Sequence, residues 1–229
     1  MADSTEKGVA VMSFKRLFRR KTGVFIDYAN VKAWAKRHNY LLNLQVLYAY
    51  LIKRGVSKVS LYYGNDPKNP SSLSFLNKLR TFGYEIITKE VKYIRVSLLD
   101  LFKKPINRQL LNKLSVKTRS FLLKEVEELE RKNIRLLSPK ANFDVEITLD
   151  MILFSDQYDV FVLFSGDSDF IATVKYLRSL GKKVVVVSDK KFLAGELYQN
   201  SDLTVFFHDL IKEIPNFAIK NPGRTGEKL

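Results

Sequence analysis

The stretch FVLFSGDSDF (161–170) joins an apolar run to a loop that carries two carboxylates, Asp167 and Asp169. A continuous apolar run predicts a strand that is buried on both faces, as the strands of parallel sheets are. In an open parallel sheet, ligands bind beyond the carboxyl ends of the strands. The stretch therefore predicts a functional edge of a parallel sheet, with two acids placed where a buried strand ends.

Acids also follow or precede other predicted elements. The apolar run 24–26 ends at Asp27, so a second strand sends an acid to the same edge of the sheet. A third acidic group lies in KANFDVEITLDM (140–151), where Asp144 opens a predicted helix that Asp150 continues. Carboxylates gathered in one place repel each other, which costs stability unless a cation neutralises them.

The available side chains limit the choice of cation. The chain contains no cysteine and only two histidines, which supply zinc sites and histidine catalysis poorly. Oxygen ligands alone select hard cations, so Mg²⁺ or Mn²⁺ is the expected cofactor. The expected chemistry is attack of metal-activated water on a phosphodiester. The absence of cysteine also fits a reducing compartment, and a cytoplasmic location is expected.

Each acid could also have a purely structural role in capping or starting a helix, and the sequence leaves this alternative open. Asp167 can cap a helix that begins near Ser168, and Asp169 is then an acid of the first turn. Asp27 and Asn30 can form a turn and a cap, and Asp144 can be another first-turn acid.

The remaining sequence alternates strand and helix patterns, which predicts a doubly wound α/β fold: a mostly parallel sheet with helices on both faces. Asn43 is expected to cap the second helix, and Gly55, Gly83 and Gly181 to end helices in the left-handed conformation. Strands are expected at 24–26, 58–63, 84–94, 158–164, 182–188 and 203–207, and helices from about 31 and at 44–54, 71–82, 168–180 and 191–200.

A basic segment interrupts this alternation. Residues 95–140 show no clear strand and are expected to form a helical insertion. Residues 92–140 contain 13 Lys and Arg against five Asp and Glu, so 8 of the 15 excess positive charges lie there. Such an excess favours nucleic acid as a partner. Its candidate contacts are Lys103, Lys104 and Arg108.

One domain is expected over 21–212, between a basic N-terminal segment (1–20) and a disordered C-terminal tail (213–229). No uncharged apolar run approaches the roughly 18 residues of a membrane span, and the N-terminus lacks an apolar signal core. Neither a membrane nor secretion is therefore expected.

Three motifs together resemble a known family. VFIDYANV (24–31), NFDVEITLDM (142–151) and LFSGDSDF (163–170) are similar to the acidic motifs of the NYN domain family, PIN-like ribonucleases that include LabA-like proteins of bacteria and archaea. The resemblance covers about 21–210, with the motifs in family order. It implies a PIN-like fold and a metal-dependent nuclease that acts on RNA.

The resemblance also implies roles for particular residues. Asp27, Asp144, Asp167 and Asp169 become the expected catalytic acids and metal ligands. Supporting positions are expected at Asn30, Lys140, Asp150, Ser165 and Ser168.

Helical spacing separates the two acids of the second motif. At 100° per residue, Asp144 shares a stripe with Thr148, whereas Asp150 shares a different stripe with Glu146. Asp144 is therefore the expected metal ligand. Asp150 is expected to act through another group, for example by holding a lysine or a water.

Three functions remain open. The favoured one is an RNA endonuclease; the others are a non-catalytic RNA-binding or regulatory module and a metal-dependent phosphohydrolase. A phosphohydrolase of the haloacid dehalogenase type needs a second Asp two residues after the first, and Ala29 stands there. The sequence does not name the RNA and leaves a homo-oligomer open.

Overall fold

The computed structural model describes residues 20–103 and 111–222 of the chain. Its strands are β1 (Thr22–Asp27), β2 (Tyr40–Leu42), β3 (Lys58–Tyr62), β4 (Glu85–Ile87), β5 (Lys92–Val96), β6 (Leu136–Lys140), β7 (Val160–Phe164), β8 (Lys183–Ser188), β9 (Leu203–Phe206) and β10 (Ala218–Lys220). Its helices are α1 (Tyr28–Arg37), α2 (Leu44–Lys53), α3 (Pro70–Phe82), α4 (Leu98–Lys103), α5 (Val116–Arg131), α6 (Asp144–Leu153), α7 (Ile171–Ser179), α8 (Gly195–Asn200) and α9 (Phe207–Glu213). In these two ranges, no helix is long and apolar enough to cross a membrane.

Six strands form one parallel sheet in the order β4-β3-β1-β7-β8-β9. The central strands β1 and β7 pair from Thr22 opposite Val160 to Ile26 opposite Phe164. Every residue of both strands is buried, as their continuous apolar runs predicted. The prediction of a doubly wound, mostly parallel sheet is confirmed.

Helices cover both faces of this sheet. Val24 and Ile26 point into one core with α1, α2 and α9, and Phe25 between them points into the other core with α6, α7 and α8. This alternation follows from the two-residue period of a strand. The helices of the first face contribute Val31, Trp34, Leu47, Leu51 and Leu210, and those of the second contribute Ile147, Met151, Val174, Leu177 and Leu197.

The predicted ends of several helices are confirmed. The side chain of Asn43 accepts a hydrogen bond from the backbone N–H of Val46 at 3.2 Å and caps α2. Gly55, Gly83 and Gly181 have φ angles of 86°, 103° and 74°. These angles lie in the left-handed region that glycine adopts with little strain.

The single strand predicted at 84–94 is wrong. β4 pairs with β3 at the edge of the main sheet, whereas β5 pairs antiparallel with β6 in a separate two-stranded ribbon. The break falls at the polar residues 88–90, where Glu90 forms an isolated bridge with Asn65. The prediction of no strand between 95 and 140 is also wrong. β6 contains Pro139, which a ribbon tolerates because each of its strands has an unpaired edge.

The segment between β5 and β6 is helical where the structure describes it. It contains α4 and α5, and the hydroxyl of Ser115 caps α5 by accepting from the backbone N–H of Thr118 at 3.1 Å. Helix was the prediction for this segment. Residues 104–110 lie outside the described ranges.

The disorder predicted from residue 213 onward is wrong for the part that the structure describes. β10 pairs antiparallel with β2, with Ala218 opposite Leu42. The preceding Phe217 is fully buried and its ring contacts that of Phe207, with 6.2 Å between centroids. One buried aromatic and a three-residue strand are too short a pattern to stand out in a sequence. Residues 1–19 and 223–229 lie outside the described ranges.

Candidate active site

The predicted acids lie where the strand order reverses. The chain builds β3 and β4 on one side of β1, and β7, β8 and β9 on the other. Because Ile26 is opposite Phe164, Asp27 and Ser165 leave the sheet side by side at the carboxyl ends of their strands. Open parallel sheets bind ligands at such a switch point.

Asp167 caps the short 3₁₀ turn Ser168–Phe170 that precedes α7. Its Oδ1 accepts hydrogen bonds from the backbone N–H of Asp169 at 3.1 Å and from the hydroxyl of Ser168 at 3.5 Å. The buried hydroxyl of Ser165 accepts from the N–H of Asp167 at 3.3 Å. The capping explanation is thus correct for Asp167. It uses Oδ1, and within the described residues Oδ2 accepts no hydrogen bond.

Gly166 fixes the path of this loop, a role that sequence reasoning missed. A Cβ at this position would strike the carbonyl of Phe192 and the hydroxyl of Ser188. The Gly166 carbonyl accepts from the N–H of Ala194 at 2.9 Å, which ties the loop to the segment that follows β8. The glycine between Ser165 and Asp167 was the available signal, since the close approach of another backbone segment requires a residue without a side chain.

Asp144 completes a group of three acids. Carboxylate oxygens of Asp144, Asp167 and Asp169 all lie within 4.8 Å of one another. Asp144 is the first residue of α6, and Thr148 on the same stripe contacts Thr173 of α7 with 3.0 Å between hydroxyl oxygens. Burial, and then the negative charges of Asp167 and Asp169, raise the pKa of Asp144. Such repulsion is the signature of carboxylates that share a site.

Asp27 lies close to this group but is not one of the three. It is 7% exposed and caps α1, which therefore begins at Tyr28 and not near Val31. Its Oδ1 accepts from the N–H groups of Ala29 and Asn30, and its Oδ2 accepts from the side-chain amide of Asn30 at 2.6 Å. Burial raises the pKa of Asp27, and the charge of Asp144 adds to the rise. Asn30 thus supports Asp27, whose role as a metal ligand stays a prediction.

Asp150 has a different partner. It lies six residues beyond Asp144, about 9 Å along the helix axis, and accepts a hydrogen bond from the hydroxyl of Tyr62 at 2.6 Å. Burial lowers the pKa of Lys58, and the charge of Asp150 opposes that shift. Asp150 is therefore outside the three-acid group. Its action through another group stays a prediction.

Glu146, on the same helix as Asp150, also has a partner that the sequence did not predict. It makes an ion pair with Lys89 at 2.5 Å, and the Lys89 ammonium lies 4.7 Å from the centre of the Phe143 ring. Burial raises the pKa of Glu146, but the hydrogen bond from Lys89, a backbone hydrogen bond and the charge of Lys89 together hold that pKa below its ordinary value. Lys89 sits in the polar break between β4 and β5, which was interpreted as part of a strand.

The structure describes only some of the basic residues that were predicted to contribute to the site. Lys140 ends β6, is exposed, and lies directly opposite Lys92 of β5. Lys103 is the last residue of α4, and Lys104 and Arg108 lie outside the described ranges. Their contact with nucleic acid stays a prediction.

A cavity of about 760 Å³ lies beside the acids. Sequence reasoning did not predict this cavity, because its walls come from α1, the β3–α3 connection and the β5–β6 ribbon. It is lined by Tyr28, Ala29, Lys32, Ala33, Lys36, Tyr63, Gly64, Asp66, Asn69, Ser71, Ser72, Phe75, Val91, Pro139, Ala141 and Phe143.

Known proteins resemble this chain in sequence and in fold. The model of the NYN domain matches residues 21–209. The "Low amplitude and bright protein LabA" of Synechococcus elongatus is 30% identical over 140 residues, which are 59% of this chain and 74% of LabA. A crystal structure of a Vibrio parahaemolyticus protein of unknown function matches with a TM-score of 0.58 at 20% identity, over 87% of this chain and 96% of that one. This last likeness bears on the fold alone. Because the family model spans most of the chain, the protein belongs to the NYN domain family.

Proposed function

We propose that the protein is a metal-dependent endoribonuclease that hydrolyses RNA phosphodiesters at the carboxylate group. The observation that carries the proposal is the approach of Asp144, Asp167 and Asp169 to within 4.8 Å at the switch point of the sheet. The mutual repulsion of the three carboxylates opposes this approach unless a cation neutralises it. Membership of a PIN-like nuclease family supports the same function.

The donor set fits Mg²⁺ or Mn²⁺. The three side chains offer carboxylate oxygens only, which hard divalent cations prefer. Asp144, Asp167 and Asp169 would hold the cation. Asp27, at the end of β1, is a further proposed ligand, although its oxygens already accept hydrogen bonds from Ala29 and Asn30. The bound cation would lower the pKa of a water and stabilise the phosphate oxygens during hydrolysis.

The protein side chains have defined tasks in this proposal. Asn30 holds the carboxylate of Asp27, while Ser165 orients the backbone of Asp167. Ser168 donates to the oxygen of Asp167 that faces the turn. These contacts keep the acids in place before substrate binds, which is how a site avoids reorganisation during the reaction.

RNA is the proposed substrate because the family acts on it and the net charge is +15. Neutralising phosphates with Lys and Arg releases counterions, and this favours binding. Lys103, Lys104, Arg108 and Lys140 are proposed contacts.

A non-catalytic RNA-binding module is the second candidate. The observation in its favour is that Asp27 and Asp167 both cap helical turns. Capping alone gives the fold a reason to keep these acids without any turnover.

Cleavage of a labelled circular RNA by the purified protein separates the candidates. A circle has no ends, so linear product identifies an endonuclease. We expect Mn²⁺-dependent linearisation by the wild type and by Asp159→Asn, whose exposed side chain lies at the opposite edge of the sheet. We expect none from Asp144→Asn or Asp167→Asn. Intact circle with every metal, together with RNA binding, would favour the non-catalytic module, and hydrolysis of a small phosphomonoester would favour a phosphohydrolase.

A further inference from the structure

The cavity beside the acids begins next to them in the chain. Tyr28 follows Asp27, and Phe143 precedes Asp144. At about 760 Å³ the cavity has the size of a small-molecule site and exceeds what a single water or ion needs.

One wall of the cavity is aromatic. The Tyr28 ring packs edge-on against Tyr63 at 5.0 Å between centroids and stacks on Phe75 at 5.2 Å. Tyr28 is 8% exposed, so it forms the back of the wall, whereas Tyr63 and Phe75 remain partly exposed in front. Partly exposed rings are the surface on which an unpaired base stacks, because every base has a flat π face.

Cations stand on α1 beside this wall. Lys32 and Lys36 are one turn apart, line the cavity, and are exposed. The Lys32 ammonium donates to the hydroxyl of Tyr63 at 2.7 Å. In the described part of the chain neither lysine forms an ion pair.

The ribbon contributes Val91 and Pro139 to the opposite wall. Lys92 and Lys140 face each other across the ribbon but point to its other face, because successive side chains of a strand point to opposite faces. The positive charge that lines the cavity is therefore that of Lys32 and Lys36.

The cavity is built into the fold. A Cβ at Gly64 would lie 2.6 Å from a methyl of Val91 and 2.8 Å from the Cβ of Ala141. The β3–α3 connection is thus held against the ribbon, and the two walls are fixed relative to each other.

We propose that this cavity binds one or two unpaired nucleotides of single-stranded RNA next to the phosphate that is cleaved. A base stacks on Tyr63 and Phe75, and backbone phosphates lie against Lys32 and Lys36 of α1. Paired bases of a duplex are stacked on their neighbours and cannot enter, so the substrate is single-stranded. The position of the cavity next to a cleaved phosphate rests on the proposed function, whereas the binding of unpaired nucleotides does not.

Binding is measured in EDTA, so that cleavage plays no part. The probe is a fluorescent 12-nucleotide RNA without self-complementarity, alone or annealed to its complement. Lys32→Gln/Lys36→Gln is expected to weaken single-strand binding at least roughly tenfold and to flatten the salt dependence by about 0.7 per lost phosphate contact. The matched control Lys21→Gln/Lys53→Gln removes the same charge from exposed positions at the far edge of the sheet, where screening leaves only a small effect.

A second readout reports on the base. The fluorescence of 2-aminopurine in the strand is expected to fall on binding, because the base stacks on a ring. Phe75→Leu should reduce this quenching, whereas Phe121→Leu, on the exposed face of α5, should not.

Equal binding of duplex and single strand, or equal effects of the two lysine pairs, would overturn the inference. The two proposals fail separately. Binding that depends on Lys32 and Lys36 without cleavage in Mn²⁺ leaves the subsite in place and removes the nuclease. Cleavage that Lys32→Gln/Lys36→Gln does not change leaves the nuclease in place and removes the subsite.

Discussion

Asp150 accepts a hydrogen bond from the fully buried hydroxyl of Tyr62, 2.6 Å away. This contact gives Asp150 a structural partner on β3, while Asp144 on the same helix meets the other acids. Burial, and then the bond to Asp150, raise the pKa of the Tyr62 hydroxyl, which stays protonated and remains the donor.

The first prediction separates these two acids of α6. Asp150→Ala should lower the free energy of unfolding by about 1–3 kcal/mol, since the buried Tyr62 hydroxyl loses its acceptor. Asp150→Asn keeps an acceptor and should lose less. Both variants should retain Mn²⁺-dependent RNA cleavage below their melting temperatures, whereas Asp144→Ala should have none. A folded but inactive Asp150→Asn would place Asp150 in the chemistry.

The second prediction concerns stability without metal. The pKa of Asp144 is raised, so its charged form is the less favourable one in the folded protein. The corresponding stability is present at low pH and lost as pH rises through the raised pKa. Asp144→Asn should therefore increase the melting temperature in EDTA at neutral pH, and the gain should shrink as pH falls. The control is Asp159→Asn. A lower melting temperature for Asp144→Asn at neutral pH would show that Asp144 is held by favourable contacts.

The third prediction concerns metal addition. A cation that binds the folded state alone stabilises it, by about 2.7 kcal/mol at one hundred times the dissociation constant. Mn²⁺ should raise the melting temperature of the wild type, and EDTA should reverse the effect. Asp144→Asn and Asp167→Asn should lose most of this increase. Because protons compete for Asp144, the effect should weaken as pH falls. An equal increase in both variants would exclude these acids as ligands.

The fourth prediction tests the loop after β7. Gly166→Ala should destabilise the protein by about 1–3 kcal/mol or more, as overpacking does, because the new methyl meets the carbonyl of Phe192. Gly195→Ala is the control: nothing lies within 4 Å of its added Cβ, and alanine favours the helix. Urea unfolding of the two variants measures the difference. A Gly166→Ala protein as stable as wild type would show that the loop moves freely.

The main sheet followed from the sequence because its strands are continuous apolar runs, and burial on both faces leaves few other arrangements. The β5–β6 ribbon did not follow from it. Most residues of its strands are exposed and none is buried, and Pro139 argues against a strand everywhere except at an edge.

The same distinction applies to the site. The proximity of Asp144 and Asp167 could be predicted because acids at strand ends and helix starts meet at one edge of a parallel sheet. The cavity was not found, because Tyr28, Tyr63 and Phe75 come from separate elements and meet only through tertiary packing.

The last prediction sets ribbon stability against RNA binding. Lys92 and Lys140 are register partners in the β5–β6 ribbon. Lys140→Glu replaces a repulsive cross-strand pair by an attractive one, which contributes about 0.2–1 kcal/mol. Hydrogen exchange of the ribbon amides should therefore slow. Binding of single-stranded RNA in EDTA should weaken, because Lys140, a proposed contact, is replaced by an anion.

The reciprocal variant and the double variant complete the cycle. Lys92→Glu should act like Lys140→Glu. Lys92→Glu/Lys140→Glu restores like charges, now negative, so the protection of the ribbon amides should return toward the wild-type level while RNA binding falls further. This opposite behaviour of the two readouts isolates the interaction between the partners. If RNA binding followed ribbon protection in all three variants, the lysines would act through the fold and would not contact phosphate.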